Sequence, residues 1–320
     1  MKRKTEPKPL ESLIGEYISY KRSVGYVYGT EEYYLKQFTV FCALNGCEGI
    51  PTADIIRQWL RKRNSETPAT QHTRVSPVRA FLKHLSAMGH ENIYQVPRKV
   101  CPTQQRNLPH FLTDDEIGAF FEECDKITYK REQRARYHVI PAIFRLIYCC
   151  GLRPKEARTV LFRNVNLTDG YIDILQSKGF KDRRLFLTDE LVSMLAEYDD
   201  AVSAMIPERV YFFPKDEVSC YSEHFIPKNF SRIWSQAFPS NVTRANTYAF
   251  RHHFAFTNIN RWLEEGKDVN AMLPYLMRYM GHTTILSTFY YIHFVPQFYG
   301  TYLSYVSATE DVLPEVGYED

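Results

Sequence analysis

The chain has 320 residues, of which 44% are hydrophobic and 24% charged, and a formal net charge of +3. These are ordinary values for a globular protein, and the length suggests two domains with a sizeable core in one of them. The small net charge hides an asymmetry: residues 1–110 hold 17 Lys and Arg against 9 Asp and Glu, a net of +8, and the remainder holds 23 against 28, a net of −5. A basic module joined to a larger acidic one suggests a polyanionic partner held by the first.

The seven cysteines (Cys42, Cys47, Cys101, Cys124, Cys149, Cys150 and Cys220) form no C-x-x-C pair and no regular framework. No secretory apolar segment follows Met1-Lys2-Arg3-Lys4, and no apolar run is long enough to span a bilayer. The expectation is a cytoplasmic chain with reduced thiols, no structural zinc and no membrane partner. The 23 tyrosines make the chain aromatic-rich. Most must be packing residues, so a tyrosine needs context before it is read as catalytic.

Leu10 to about Gly25 has a helical pattern. A second helix follows Thr30, with Tyr34, Phe38, Phe41 and Cys42 on one stripe. A third starts at Thr52, a suitable N-cap, and runs through Ile55, Ile56 and Leu60 into Arg61-Lys62-Arg63. The fourth starts near Pro68 and ends at Gly89. Val78, Phe81, Leu82 and Leu85 face its core, and Arg74, Arg79 and Lys83 are expected to point elsewhere. Residues 1–92 thus read as a small helical bundle with basic outer faces. Residues 93–110 carry Pro97, Pro102 and Pro109 with Arg98, Lys99 and Arg106, which marks a basic linker. Its charge suits a strap along phosphates and equally a solvated connection.

The second domain, 111–293, opens at Leu112-Thr113-Asp114-Asp115-Glu116, where Thr113 and Glu116 have capping-box spacing. Asp115 and Glu116 are therefore helix-start residues rather than a metal or acid/base pair. An aromatic-rich helix follows, then one from about Gln133 to Cys150, stopped by Gly151. Tyr171 to Leu175 and Arg184 to Leu187 alternate like strands around a polar turn with Gly179, a β-hairpin, and Val165 to Leu167 suggests a third short strand. Beyond Thr188 the pattern is helical almost to the end. There is no internal repeat and no Gly-rich phosphate loop.

Four stretches carry chemistry. In Gly151-Leu152-Arg153-Pro154-Lys155-Glu156, a helix ends at glycine, an arginine sits in the loop, and a new helix begins with proline. Glu156 can reach back to the guanidinium or to the helix N-terminus. In Gln176-Ser177-Lys178-Gly179-Phe180-Lys181 the hairpin tip presents an ammonium, with Lys181 as the rival of Lys178. In Thr247-Tyr248-Ala249-Phe250-Arg251-His252-His253-Phe254, Phe250 and Phe254 anchor one helix face, and Tyr248 lies one turn before Arg251, so both can reach one cleft. At least one of the adjacent histidines must be a packing residue. The fourth is Gly281-His282, followed nine residues after the histidine by Tyr291.

In this order, Gly-Leu-Arg-x-x-Glu, a hairpin Lys-Gly, Arg-His-x-Phe-Ala and Gly-His with a tyrosine nine residues on resemble the catalytic domain of the tyrosine recombinases, the phage-integrase family. The resemblance implies a mainly α fold with a small antiparallel β-sheet: a helical N-terminal core-binding domain for DNA and an α+β catalytic domain. It implies that Arg153 and Arg251 clamp the scissile phosphate and that Lys178 is the hairpin lysine. His282 is then the histidine before the nucleophile and Tyr291 the nucleophile, with Tyr290 as its rival. Glu156 and His252 are supporting residues. Arg74, Arg79, Lys83, Arg98 and Lys99 become candidate DNA contacts. The chain departs from the family at Tyr248, where a histidine is usual. An imidazole titrates near neutrality, and a phenol only near about 10.

The implied function is a site-specific DNA recombinase of integrase or transposase type. It would cut and rejoin double-stranded DNA through a 3′-phosphotyrosyl link, which conserves the bond energy, so no cofactor and no metal are needed. A DNA-binding relative with impaired catalysis and a type IB topoisomerase are the alternatives. The aromatic stretch Phe298 to Val306 lies in the tail, 294–320. On its own residues that stretch suits packing against its own chain equally well; the resemblance implies a helix exchanged between subunits there, in a homotetramer on DNA, with room for accessory DNA-bending proteins.

Overall fold

A computed structural model describes residues 8–98, 100, 110–175, 182–240 and 245–282. The chain divides into two compact units, Met1–Asn107 and Leu108–Asp320.

The first unit contains α1 (Leu10–Ser23), α2 (Gly29–Leu44), α3 (Ala53–Leu60) and α4 (Pro68–Ala87). The ends are set by side chains that satisfy orphan N–H groups: Thr52 accepts from Ile55 N and Thr67 from Thr70 N, and Pro68 occupies the first turn of α4. The apolar stripes meet in one core that includes Tyr17, Leu35, Phe38, Ile56, Trp59, Val78 and Phe81.

Arg74 is not where the sequence pattern puts it. Its side chain is 0% exposed and lies inside the bundle. Its guanidinium donates to the Glu66 carboxylate, to the Trp59 carbonyl and to the Arg61 carbonyl at 3.0 Å, and it lies 5.0 Å over the Trp59 ring. The last carbonyls of a helix have no partner within it. Arg74 supplies those donors at the end of α3 and is drawn into the core. It is a brace for the bundle, and no face of it is left for a phosphate. Arg79 donates to the carbonyls of Pro97 and Arg98, at 3.0 and 3.2 Å, and ties down the segment after α4. Lys83 and Arg98 are exposed, and Lys99 lies outside the described residues.

The second unit begins with α5 (Asp114–Asp125), whose Thr113–Glu116 capping box is present in both directions. It continues with α6 (Arg136–Cys150), α7 (Pro154–Thr159), β1 (Val165–Asn166), β2 (Tyr171–Ile174) and β3 (Arg183–Phe186). Among the described residues four more helices follow: α8 (Asp189–Ser203), α9 (Phe225–Ala237), α10 (Tyr248–Glu264) and α11 (Val269–Met280). The strands form one antiparallel sheet in the order β1-β2-β3, with Ile172 opposite Leu185 and Ile174 opposite Arg183. The second unit is therefore mainly helical with a small antiparallel sheet.

Helix α6 runs through the centre. Its Val139, Ile140, Ile143, Phe144 and Ile147 are buried, and Phe250 of α10 meets it in a cluster with Phe120, Phe121, Tyr148 and Phe230. Helices α10 and α11 share a smaller core of Ala255, Ile259, Trp262, Leu273 and Leu276. The helical pattern expected beyond Thr188 is broken over 204–224. Pro207 and Pro214 interrupt it, Asp216 accepts from Val218 and Ser219 N–H groups in a turn, and isolated bridges pair Leu161 with Tyr211 and Pro214 with Cys220. Phe212 and Phe213 in this stretch still pack into the core, so its apolar residues are real core residues in irregular backbone. Among the described residues no helix is long and apolar enough to cross a membrane.

Candidate active site

Two turns of chain converge, the loop from α6 into α7 and the end of α11. Gly151 and Gly281 cap α6 and α11 in the left-handed conformation, with φ of 57° and 64°. Neither could carry a side chain without displacing a neighbour. A Cβ at 151 would lie 2.7 Å from Cδ1 of Phe254, and one at 281 would lie 2.8 Å from Nη1 of Arg183 and 3.4 Å from Nη1 of Arg153. Gly281 lets the end of α11 approach the arginines, and Gly151 lets the end of α6 approach Phe254 of α10.

The last carbonyls of α11 hold the site together. Arg183 donates from Nε to Tyr279 O at 2.7 Å, Arg251 from Nη2 to Met280 O at 2.6 Å, and Arg153 from Nη2 to Gly281 O at 2.8 Å. Three consecutive carbonyls thus accept from three different arginines. Arg251 also donates to Gly151 O at 2.5 Å and so joins the C-terminal ends of α6 and α11. Helix C-termini carry partial negative charge, which favours guanidinium groups here.

Glu156 supplies the carboxylate. It accepts from the Arg153 backbone N–H at 2.9 Å and from Arg153 Nη1 at 2.7 Å, both of the contacts expected from its spacing. It also accepts from Nη1 and Nη2 of Arg183, at 3.1 and 2.9 Å. Burial pushes its pKa up, but the bonds and charge of Arg183, and after them those of Arg153, outweigh burial and hold it below the usual carboxylate range. Among the described residues Arg153, Arg183 and Arg251 face the Glu156 carboxylate, and Arg278 and Asp182 line the cavity beside them, so the cluster keeps an excess of positive charge.

His282 follows directly. It is 7% exposed, and its backbone N–H donates to Met277 O at 3.0 Å. Burial and then the charges of Arg251, Arg153 and Arg183 push its pKa down to about 3. It is therefore neutral near pH 7. His252 is similar: burial and the adjacent Arg251 bring it down to about 4. His253 is the packing histidine, stacked on Tyr148 at 5.5 Å and bonded to the Thr257 hydroxyl at 3.2 Å. A cavity of about 560 Å³ opens beside this cluster, lined by Arg183, Arg278, Gly281 and His282.

The structure thus brings Arg153, Glu156, Arg251 and His282 together. Tyr248 starts α10 and is 50% exposed. Its backbone N–H donates to Asn246 Oδ1 at 2.9 Å, and among the described residues its hydroxyl has no hydrogen-bond partner. Lys178, Lys181, Tyr290 and Tyr291 lie outside the described residues. Arg183 is a site residue that the sequence pattern does not single out, since the alternation is clear only from Arg184. Parity carries the signal: Arg183 is in step with buried Leu185, so a charged residue stands on the inner face of β3. Among the described residues no group of three His, Cys, Asp or Glu side chains is placed to hold a metal ion.

The sequence profile of the phage integrase family matches residues 110–297. A tyrosine recombinase of Thermosipho africanus is 27% identical over 235 residues, covering 70% of this chain and 71% of its own length. One of Pseudothermotoga lettingae is 22% identical over 268 residues, covering 82% of this chain and 85% of its own. Among solved structures, the Tn1549 transposon integrase in complex with transposon right end DNA has a TM-score of 0.64 at 13% identity, over 89% of this chain and 94% of that one. That likeness concerns the fold. The chain belongs to the phage integrase family, the tyrosine recombinases, which are enzymes that cut and rejoin DNA.

Proposed function

We propose that this chain is a site-specific DNA recombinase of integrase or transposase type that works through a 3′-phosphotyrosyl intermediate. The observation that carries the reading is the convergence of Arg153, Arg251 and neutral His282 on the end of α11, with a surplus of positive charge. A buried cationic surplus suits a ligand that brings negative charge with it, and a DNA phosphodiester does.

In this reading the Tyr291 oxygen attacks phosphorus, the bond to the 5′ oxygen breaks, and the phosphate becomes joined to tyrosine. The phenol proton leaves to solvent, and Lys178 delivers one to the departing 5′ oxygen. Arg153 and Arg251 meet the charge that spreads over the non-bridging oxygens. Preorganised donors of this kind are worth roughly 3–4 kcal/mol each in the transition state. Arg153 uses two of its five N–H donors on Glu156 and Gly281 among the described residues, which leaves others for a phosphate. His282 adds a hydrogen bond and no charge. Tyr248, exposed at the start of α10 one turn before Arg251, would donate a hydrogen bond in the place of the usual histidine.

The helical domain, 1–92, and the linker, 93–110, hold the duplex through exposed basic residues such as Lys83 and Arg98. The catalytic domain runs over 111–293, and the tail, 294–320, joins subunits into a homotetramer on DNA in the cytoplasm, with accessory DNA-bending proteins as further partners. The names and titles of the relatives agree with DNA as the substrate.

The test is covalent capture on duplexes with a randomised core and a nick in one strand. The wild type should yield adducts that survive denaturation and carry a free 5′-hydroxyl. Tyr291→Phe should yield none, and Tyr290→Phe should retain them. An adduct from Tyr291→Phe but not from Tyr290→Phe would reassign the nucleophile. Binding with no adduct at all would favour a relative that has lost catalysis. Adducts without sequence enrichment, with relaxation of supercoiled plasmid, would favour a topoisomerase.

A further inference from the structure

Arg183 has no part in the chemistry just described, yet its side chain is 5% exposed and committed on two sides. Nε donates to the α11 carbonyl of Tyr279 at 2.7 Å. Nη1 and Nη2 grip the two oxygens of Glu156, at 3.1 and 2.9 Å. The same two oxygens also serve Arg153: Oε1 takes its Nη1 at 2.7 Å and Oε2 its backbone N–H at 2.9 Å. Each carboxylate oxygen is therefore shared between Arg153 and Arg183. The Arg153 side chain, 18% exposed, is the more open of the two.

This sharing has a direct consequence for Arg153. A carboxylate facing one guanidinium pairs with it fork to fork, through two parallel bonds. Here Arg183 makes the fork, and Arg153 can donate only one side-chain bond to the carboxylate. Its other Nη reaches Gly281 O at 2.8 Å. At Gly281 the absence of a Cβ makes room for the Arg183 guanidinium, since one would lie 2.8 Å from Arg183 Nη1, with Arg153 Nη1 next at 3.4 Å. Without Arg183, Glu156 would draw Arg153 into a closed pair, and its donors would turn away from a ligand.

We propose that Arg183 is the positioning residue of the phosphate clamp: by occupying Glu156 and packing at Gly281, it keeps the Arg153 guanidinium turned toward the DNA. The role rests on the recombinase reading above. In this role Arg183 acts through Arg153 and not on the phosphate. It also joins β3, the strand that leaves the hairpin, to the last turn of α11.

The experiment measures the rate of covalent adduct formation at saturating protein, on the duplex recovered by the capture above. DNA affinity and thermal midpoint are recorded beside it. Arg183→Gln should slow adduct formation about tenfold to a hundredfold, the scale of a misplaced catalytic group, with DNA affinity unchanged. Adding Glu156→Gln should restore part of the rate, because a neutral amide cannot hold Arg153 in a closed pair. In an Arg153→Ala background Arg183→Gln should cost nothing further. A merely structural arginine would give neither the rescue nor the non-additivity. The role is overturned if Arg183→Gln keeps the wild-type rate, or if the double variant with Glu156→Gln folds and is no faster. Should Arg183→Gln not fold, Arg183→Lys carries the test. It keeps the charge without the fork, and an intermediate rate that rises on adding Glu156→Gln supports the role. A rate that does not rise ends it. If the wild type forms no adduct, the recombinase reading falls and takes this role with it. A wild-type adduct with unimpaired Arg183→Gln removes this role alone.

Discussion

Arg251 Nη1 lies 2.5 Å from the carbonyl oxygen of Gly151, 100 residues earlier in the chain. The bond ties the end of α6 to α10, and the second bond of the same guanidinium, to Met280 O, adds α11. One side chain that is 3% exposed thus serves as both a candidate phosphate ligand and a fastening for three helices.

Replacing it should therefore harm both stability and activity. Arg251→Ala would leave the carbonyls of Gly151 and Met280 without this donor. It should lower unfolding stability by about 2–4 kcal/mol, read from urea denaturation, and abolish adduct formation. Arg251→Lys should also fail in the adduct assay, since an ammonium cannot span both carbonyls and a phosphate. An Arg251→Lys protein with wild-type cleavage would contradict the clamp.

The two glycines at positive φ that follow α10 and α11 separate backbone strain from site damage. Gly266 has φ of 67° and open space where a methyl group would stand, whereas at Gly281 a methyl group would meet two arginines. Gly266→Ala should cost about 1–2 kcal/mol of strain and leave the cleavage rate unchanged. Gly281→Ala should show similar strain and lose the adduct as well. Equal cleavage rates for the two variants would sink the argument.

The depressed histidines make stability depend on pH. His282 and His252 have pKa values of about 3 and about 4 in the folded chain, against about 6.5 when unfolded. Between those values the unfolded chain binds more protons, so stability rises with pH there. The contribution is fully present above pH 6.5 and is lost as pH falls toward 4 and then 3. The thermal midpoint should drop across this window, and His252→Gln should flatten the drop. In the free protein, imidazole NMR signals of His282 should not titrate between pH 5 and 8. A titration midpoint near 6.5 would show that the arginine charges are not felt there.

In the first unit, Arg74 and Lys83 should behave in opposite ways. Arg74→Ala breaks a buried pair with Glu66 and should cost about 3–5 kcal/mol while leaving the salt dependence of DNA binding unaltered. Lys83→Ala should leave stability intact and reduce the salt slope by about one. A lower salt slope for Arg74→Ala in a folded protein would restore it as a DNA contact.

Much of the fold and site is legible in the residues. Local chemistry announces itself over three or four positions: Thr113 with Glu116, Pro154 after Arg153, Gly151 and Gly281 at helix ends. The site residues Arg153, Glu156, Arg251 and His282 are recoverable because each sits in a short motif of fixed order. Arg74 misleads because a helical stripe says only that a position is off the apolar face. It does not say that an unfinished helix end lies opposite. Arg183 escapes notice because its partners, Glu156 and Tyr279, are 27 and 96 residues away. The irregular stretch 204–224 carries the core residues Phe212 and Phe213 in backbone that its prolines keep out of a helix.

The three adjacent carbonyls of Tyr279, Met280 and Gly281 also restrict how this chain can change length. Each α-helical residue turns the backbone by about 100°. Inserting or deleting one residue within α11 would swing all three acceptors away from Arg183, Arg251 and Arg153 at once. A change of one residue in the turn before it, at 265–268, would leave that register alone. Indels should therefore be tolerated before α11 and excluded within it, which makes the helix a gauge block for the arginines packed against its end.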